Sequence, residues 1–549
     1  MHPERNGYFA RLFLHMQKQT FFVHGKAGYF TATRHAWRYG QKGVFMAQIN
    51  VKNVTFAYPG GFDNIFENVS FHIDIDWKLG LIGRNGKGKT TFLNLLLDKY
   101  EYSGTISTDT VFDYFPYELT QEEMGKSAAE LMEKWKPGVE NWRVLCELPA
   151  LKLDAELLYR QIGTLSFGER TKIMLAVLFS GENDFLLIDE PTNHLDGEAR
   201  EIIKGYLTGK KGFILVSHDR DLLDACIDHV LVLNRATIEV QSGNFSTWWE
   251  NKEKADAFAR MKNEKHKKEI NKLKTAADRT LRWAQKNENT KIGYDPVREP
   301  DRMIDTRAYI GAKTKKAQAR VKAMEMRIDR EIEKKEGLLR DMEEVVDLKI
   351  RPLEYYKERL ILCRDFSMQY KDSTCPVIRG LNFELNSGER VFINGKNGCG
   401  KSSLIKAILN STETENYVTD GTLSVAGNLV ISYVNQDTSH LHGNLKIYAA
   451  EHNLEYSLFL SLLRQLDMER TQFHKNIQDF SEGQKKKVLI AASLLTPAHL
   501  YIWDEPLNYI DVFSRMQIEK LVKTYRPTML VVEHDVRFRE MLATKTIEM

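Results

Sequence analysis

Four short blocks occur twice in the same order, and this duplication constrains the fold of the 549 residues more than any other feature. GRNGKGKTT (Gly83–Thr91) returns as GKNGCGKSS (Gly395–Ser403), and LSFGE (Leu165–Glu169) as FSEGQ (Phe480–Gln484). FLLIDEPTNHLD (Phe185–Asp196) returns as LYIWDEPLNYID (Leu500–Asp511), and VSHD (Val216–Asp219) as VEHD (Val532–Asp535). Such a chain folds as two copies of one domain. Each copy opens on strand-like runs, INVKNVTFAY and LILCRDFSMQY, after which LGLI or RVFI passes straight into the glycine-rich block and a helical stretch. Strands alternating with helices predict two tandem α/β domains, each with a partly parallel sheet.

The glycine-rich blocks match G-x-x-x-x-G-K-[ST] in a strand–loop–helix setting, where the motif is specific for nucleotide phosphate. Gly86 and Gly88 let backbone N–H groups form a nest for phosphate oxygens; Lys89 reaches the terminal phosphates, and Thr90 offers a hydroxyl to Mg²⁺. The predicted ATP-binding set is Gly83, Asn85, Gly86, Gly88, Lys89, Thr90 and Thr91 in the first copy. In the second it is Gly395, Asn397, Gly398, Gly400, Lys401, Ser402 and Ser403. FLLIDE and LYIWDE end apolar runs in two acids, so a buried strand would carry Asp189 and Asp504 to the ligand-binding edge as Mg²⁺ ligands. Glu190 and Glu505 follow as candidates to polarise an attacking water, and His218 and His534 close their own apolar strands nearby.

These residues resemble ATP-binding cassette (ABC) ATPases. LSFGE and FSEGQ look like the ABC signature, which implies phosphate-facing roles for Ser166, Gly168, Ser481, Gly483 and Gln484; Tyr58 and Tyr370 match the aromatic that stacks on adenine. Cassettes of this kind pair head to tail, so the first P-loop is expected to share ATP with Ser481–Gln484 and the second with Ser166–Glu169. The copies differ at the Q-loop. YVNQD carries Gln436, expected at the metal, whereas YFPYE has Tyr117 at the equivalent position. A tyrosine cannot offer the amide carbonyl, which predicts unequal sites. Phe167 stands for a signature glycine, and Leu507 and Tyr509 for Thr and His of the second DEPTNH-type block.

Between the cassettes the composition shifts. Residues 251–330 hold 23 Lys and Arg against 12 Asp and Glu, an excess of 11 cations in a chain whose net charge is +3, so the remainder sums to −8. A basic segment of this kind suits a phosphate-rich surface. Apolar positions 270, 273, 277, 281 and 284 form one helical stripe, and 317, 321, 324, 328 and 332 another, predicting an antiparallel helical hairpin. Its tip is placed at about 283–310, where Gly293, Pro296 and Pro300 break helix and Trp283, Lys286, Tyr294, Arg298 and Arg302 offer stacking rings and cations to RNA.

Two cassettes without a membrane-length apolar run, joined by a charged helical linker that begins SGNFSTWWENKE, resemble the ABC-F family. The short spacing from P-loop to signature in the first copy, with no basic C-terminal tail, resembles its antibiotic-resistance, ribosome-protecting branch, especially Lsa- and Vga-like members. That resemblance implies a cytoplasmic, ribosome-associated monomer whose cassettes pair intramolecularly. It implies binding of the 70S ribosome at the E site in the ATP state, contacts to 23S rRNA and P-site tRNA, and release of lincosamides, pleuromutilins and streptogramin A. It implies no membrane and no DNA. A translation factor relieving stalled ribosomes is the alternative within the family, and an exporter ATPase fits less well because the basic hairpin would have no role.

The expected domains are 46–250, 251–350 and 351–549. Residues 1–45, with seven Lys and Arg and one acid, read either as a transit-like segment or as the product of an upstream start, Met46 opening the fold. The five cysteines show no ligand spacing, which argues against zinc, iron–sulfur and disulfide scaffolds.

Overall fold

A computed structural model describes residues 48–59, 64–182, 184–193, 195–234, 237–289, 352–371, 375–409 and 417–549, with scattered helical positions between 315 and 330. The expectations for residues 1–45, for Tyr294, Arg298 and Arg302, and for most of the second linker stripe lie outside the described residues.

In the first cassette, β1 (Gln48–Phe56) pairs antiparallel with β2 (Phe66–Asp74) and β4 (Ser103–Ser107). A six-stranded sheet follows in the order β5-β6-β7-β3-β8-β9: β5 (Val111–Phe115), β6 (Asp184–Asp189), β7 (Phe213–Val216), β3 (Lys78–Ile82), β8 (His229–Leu233) and β9 (Ile238–Ser242). All its pairings are parallel except β8 with β9. Central strands such as FILV are apolar at every position because both faces of a parallel sheet are covered. Alternation sorts those faces. Phe185 and Leu187 of β6 pack with Phe92 and Leu93 of the P-loop helix α1 (Lys89–Leu96), whereas Leu186 and Ile188 pack with the helical layer that includes α2 (Ala128–Trp135) and α3 (Phe167–Leu178).

The second cassette repeats the plan. Its antiparallel sheet is β11-β10-β13 (Ile378–Asn386, Arg359–Tyr370, Tyr417–Val425). The parallel sheet runs β14-β15-β16-β12-β17, from Ile431–Val434, Leu500–Asp504 and Met529–Val532 to Arg390–Asn394 and Lys545–Glu548.

The first cassette hands over to a 45-residue helix, α5 (Phe245–Asn289), preceded by α4 (Gly197–Thr208). Its backbone stays helical beyond position 282, so Trp283 and Lys286 belong to the helix rather than to a loop. RWAQKNEN is rich in helix formers, and the first breaker is Gly293. Ile270 and Ile328, one from each predicted stripe, are both buried. Among the described residues no helix is long and apolar enough to cross a membrane.

Candidate functional site: two nucleotide sites at a lopsided seam

Both P-loops have the geometry that phosphate requires. At Gly88 φ is +92° and at Gly400 +97°, and a Cβ would come within 2.8 Å of Ile65 and 2.6 Å of Val377, respectively. Only glycine serves there. Lys89 Nζ donates to Gly83 O (2.8 Å) and Asn85 Oδ1 (3.1 Å), and Lys401 Nζ to Gly395 O (2.8 Å) and Lys396 O (2.9 Å). Each ammonium curls back over its loop, where an incoming phosphate would take its donors. Tyr58 and Tyr370 stand part exposed beside the loops, with hydroxyls bonded to Thr91 (2.7 Å) and Ser403 (2.9 Å).

Parallel register delivers the acids. Asp189 pairs with Val216 and Asp504 with Val532, so Glu190 and Glu505 leave the sheet edge beside His218 and His534. Both glutamates have positive φ, 50° and 45°, a left-handed backbone held because each N–H still donates to the neighbouring strand, at Val216 O and Val532 O (2.9 Å). His218 Nε2 lies 3.3 Å from Glu190 Oε1, and His534 Nε2 is 3.8 Å from Glu505 Oε1. Burial, then Lys89 or Lys401, lowers both imidazoles, His534 to about 3, so each ring is neutral. Burial, then the adjacent aspartate, raises both glutamates, Glu190 to about 8.

Side-by-side buried carboxyls call for a cation. Asp504 is 1% exposed and its Oδ1 has no partner, while Ser402 hydrogen-bonds the same carboxylate. Thr90 Oγ1 lies 3.4 Å from Asp189 Oδ2. An all-oxygen set of one hydroxyl and one carboxylate per site fits Mg²⁺ completed by phosphate oxygens.

The sites differ around those acids. Gln436 Nε2 donates to Glu505 Oε2 (2.8 Å), which Asn508 Nδ2 also reaches (2.7 Å). The glutamine expected at the metal is thus in the site, bonded to the carboxylate expected to polarise water. Tyr117 has left the first site. Its hydroxyl donates to Asp113 Oδ2 (3.0 Å) and its ring stacks on Trp135 at 5.3 Å and 5°, inside the helical layer. A residue not singled out from sequence takes its place: Tyr114 Oη donates to Asp189 Oδ2 at 3.1 Å. Burial, then Asp189, keeps that phenol well above its ordinary pKa and hence protonated.

The signature serines cap their own helices. Ser166 Oγ accepts from Glu169 N and Ser481 Oγ from Gln484 N, at the starts of α3 and of α6 (Glu482–Leu495). Phe167 is exposed. Gly168 lies against Leu195 and Ala199, and a Cβ at Gly483 would strike Tyr509 O at 2.6 Å. Tyr509 O in turn accepts from Asn85 Nδ2 of the first P-loop (3.0 Å). The first P-loop and second signature therefore flank one peptide group, the expected head-to-tail sense. Arg84–Asp467 (2.9 Å) and Lys87–Glu469 (3.1 Å) close the same side.

Next to it, Arg220 forms a buried fork with Glu519 of α7 (Val512–Tyr525), and Arg537 reaches back to Asp224. The opposite side is looser. Lys396 pairs with exposed Glu198 (2.7 Å), and a cleft of about 380 Å³ opens over Lys401, Ser402 and Glu505, with Leu195 and Arg200 supplied by the first cassette.

Comparisons with known proteins agree with this geometry. The ABC transporter family model matches twice, at residues 66–193 and 378–508. Ribosome protection protein VmlR of Bacillus subtilis (strain 168) is 27% identical over 497 residues, spanning 90% of this chain and 85% of its own length. ATP-binding protein Uup of Buchnera aphidicola subsp. Acyrthosiphon pisum (strain APS) is 26% identical over 536 residues, spanning 91% and 80%. Among solved structures, the archaeal ribosome recycling factor aABCE1, crystallised with ribosomal stalk protein aP1, superposes with a TM-score of 0.55 at 19% identity. That match covers 90% of this chain and 87% of that one, a likeness of fold.

Proposed function

We propose that the chain is a tandem-cassette ATPase of the ABC-F kind, which it resembles in its paired cassettes and in relatives such as VmlR and Uup, and that it binds the 70S ribosome when ATP closes its cassettes and protects it from peptidyl-transferase-centre antibiotics. The observation that carries this is a basic 45-residue helix that leaves the first cassette beside the seam where the first P-loop meets the second signature, its root built into the first cassette and touched by the second. Closing the seam on ATP would re-aim that helix, and its Lys and Arg excess suits rRNA and tRNA phosphates. The E site, 23S rRNA and P-site tRNA are the contacts expected of it, with lincosamides, pleuromutilins and streptogramin A the drugs displaced; the relative named for ribosome protection supports this reading.

In each site the P-loop N–H groups and Lys89 or Lys401 would hold the phosphates, and Tyr58 or Tyr370 the adenine. Thr90 with Asp189, and Ser402 with Asp504, would hold Mg²⁺, which neutralises phosphate charge. Glu190 or Glu505, oriented by its histidine, would accept the proton of an attacking water and so release the protein from the ribosome.

The test is Glu190→Gln with Glu505→Gln, which removes both proton acceptors and keeps nucleotide binding. The doubly substituted protein should co-sediment with ribosomes in ATP and not in ADP. Sedimentation free of ribosomes in ATP refutes ribosome binding. Uup matches almost as well as VmlR, which favours, as the second reading, a translation factor without resistance. Expression in a susceptible host separates the two, unchanged lincosamide and pleuromutilin susceptibility refuting protection.

A further inference from the structure

We propose that Tyr114 is the positioning residue for the metal-binding carboxylate of the first ATP site, a task its counterpart Tyr433 does not perform in the second. The inference rests on reading Asp189 as that carboxylate. In β5, Tyr114 pairs with Leu187 of β6, so both side chains and that of Asp189, two residues on, share one face of the sheet. From there the phenol reaches Asp189 Oδ2 at 3.1 Å, beside Thr90 Oγ1 at 3.4 Å on the same oxygen. Two hydroxyls on Oδ2 fix the carboxylate and leave Oδ1 to a cation.

In the second cassette the register repeats, Tyr433 pairing with Ile502 two residues before Asp504. There, however, Tyr433 Oη donates to Asn435 Oδ1 at 3.2 Å. The residue matching Asn435 is Pro116, which has no side-chain acceptor. Replacing Asn by Pro thus releases the strand tyrosine to the acid, in the same cassette where Tyr117 has swung away to Asp113 and Trp135. Asp504 accepts from Ser402 and keeps Oδ1 unpartnered, so its orientation rests on fewer donors. The two sites consequently hold the metal by different means. The first has a carboxylate held by a phenol and a threonine; the second has one held by Ser402, with Gln436 beside it on Glu505.

Losing a group that orients a metal ligand through a hydrogen bond typically costs about 10–100-fold in metal affinity. The experiment uses the full chain carrying Glu190→Gln and Lys401→Ala, so that ATP persists and occupies the first site alone. Free Mn²⁺ is counted by electron paramagnetic resonance during titration of the ATP-loaded protein, and ATP affinity is measured separately in EDTA. Tyr114→Phe, which keeps the ring, should weaken Mn²⁺ binding about tenfold and leave metal-free ATP binding unchanged. Tyr433→Phe in the mirrored background, Glu505→Gln with Lys89→Ala, should leave Mn²⁺ binding unchanged.

Asp189→Asn tests the premise separately. If it leaves Mn²⁺ affinity intact, the reading of Asp189 fails. If Asp189→Asn weakens Mn²⁺ binding and Tyr114→Phe does not, or if Tyr114→Phe weakens ATP binding equally with and without metal, the positioning role is overturned.

Discussion

Phe513 is the residue through which the second cassette grips the root of the linker, and Phe513→Ala should loosen that root without unfolding either cassette. Its ring sits at the start of α7, 9% exposed, within the core cluster of the other cassette. It lies 6.1 Å from Trp248 and 5.8 Å from Trp249, the first edge-on, with Lys252 Nζ 4.5 Å above its centroid and the Arg84 guanidinium of the first P-loop at 6.0 Å. Truncating a buried Phe to Ala costs about 3–5 kcal/mol, of which a partly exposed cation–π contact contributes about 0.5–1 kcal/mol. Because the ring is at a seam that can partly collapse, the low end, about 3 kcal/mol, is expected. Since 1.4 kcal/mol is tenfold, that raises the opening equilibrium roughly a hundredfold. Native-state hydrogen exchange reads it directly. Amides of residues 245–252 and 512–516 should exchange roughly a hundred times faster, while those of β3 and β12 keep their protection. Unchanged exchange at the linker root, or uniform acceleration throughout the first cassette, would refute the reasoning.

Three further outcomes follow from the same seam and sites. Arg220→Ala strands Glu519 inside the interface and should weaken cassette closure by about 3–5 kcal/mol, read as loss of an inter-cassette distance signal in ATP; Glu519→Gln with Arg220→Met should recover much of it. Glu190, raised to about 8 in the folded protein from 4.5, imposes no penalty below the lower value and a growing one as pH climbs between the two. Glu190→Gln should therefore gain thermal stability over the parent progressively across that window, and a constant difference would contradict the burial assigned to the carboxyl. Gly400→Ala places a methyl 2.6 Å from Val377 at φ +97° and should abolish ATP binding at the second site alone, as measured with a fluorescent nucleotide in the Lys89→Ala background.

What the sequence disclosed and what it withheld divide along one physical line. P-loop glycines, the paired acids and the signature serines act through their immediate neighbours, so duplicated blocks of a few residues were enough to place them. The lopsided seam depends on contacts such as Asn85 to Tyr509 and Arg220 to Glu519. These join residues hundreds of positions apart, and Glu519 reads locally as an ordinary helical acid. Phe513 likewise looks like a core residue of its own helix, although its ring belongs to the other cassette's core. Tyr117 and Tyr114 show the limit most sharply. Comparing the two copies names the lost glutamine, and only the pairing of β5 with β6 reveals that a tyrosine three residues earlier reaches Asp189. The clue was present as Pro116 opposite Asn435, a swap that means nothing until the strand face is known. Both departures, the phenol on Asp189 and the clamp of Phe513 on the linker root, fall on the first ATP site. That side also carries the buried Arg220–Glu519 fork, while the open cleft lies over the second. The linker root therefore packs on the side of the seam whose Q-loop glutamine is missing.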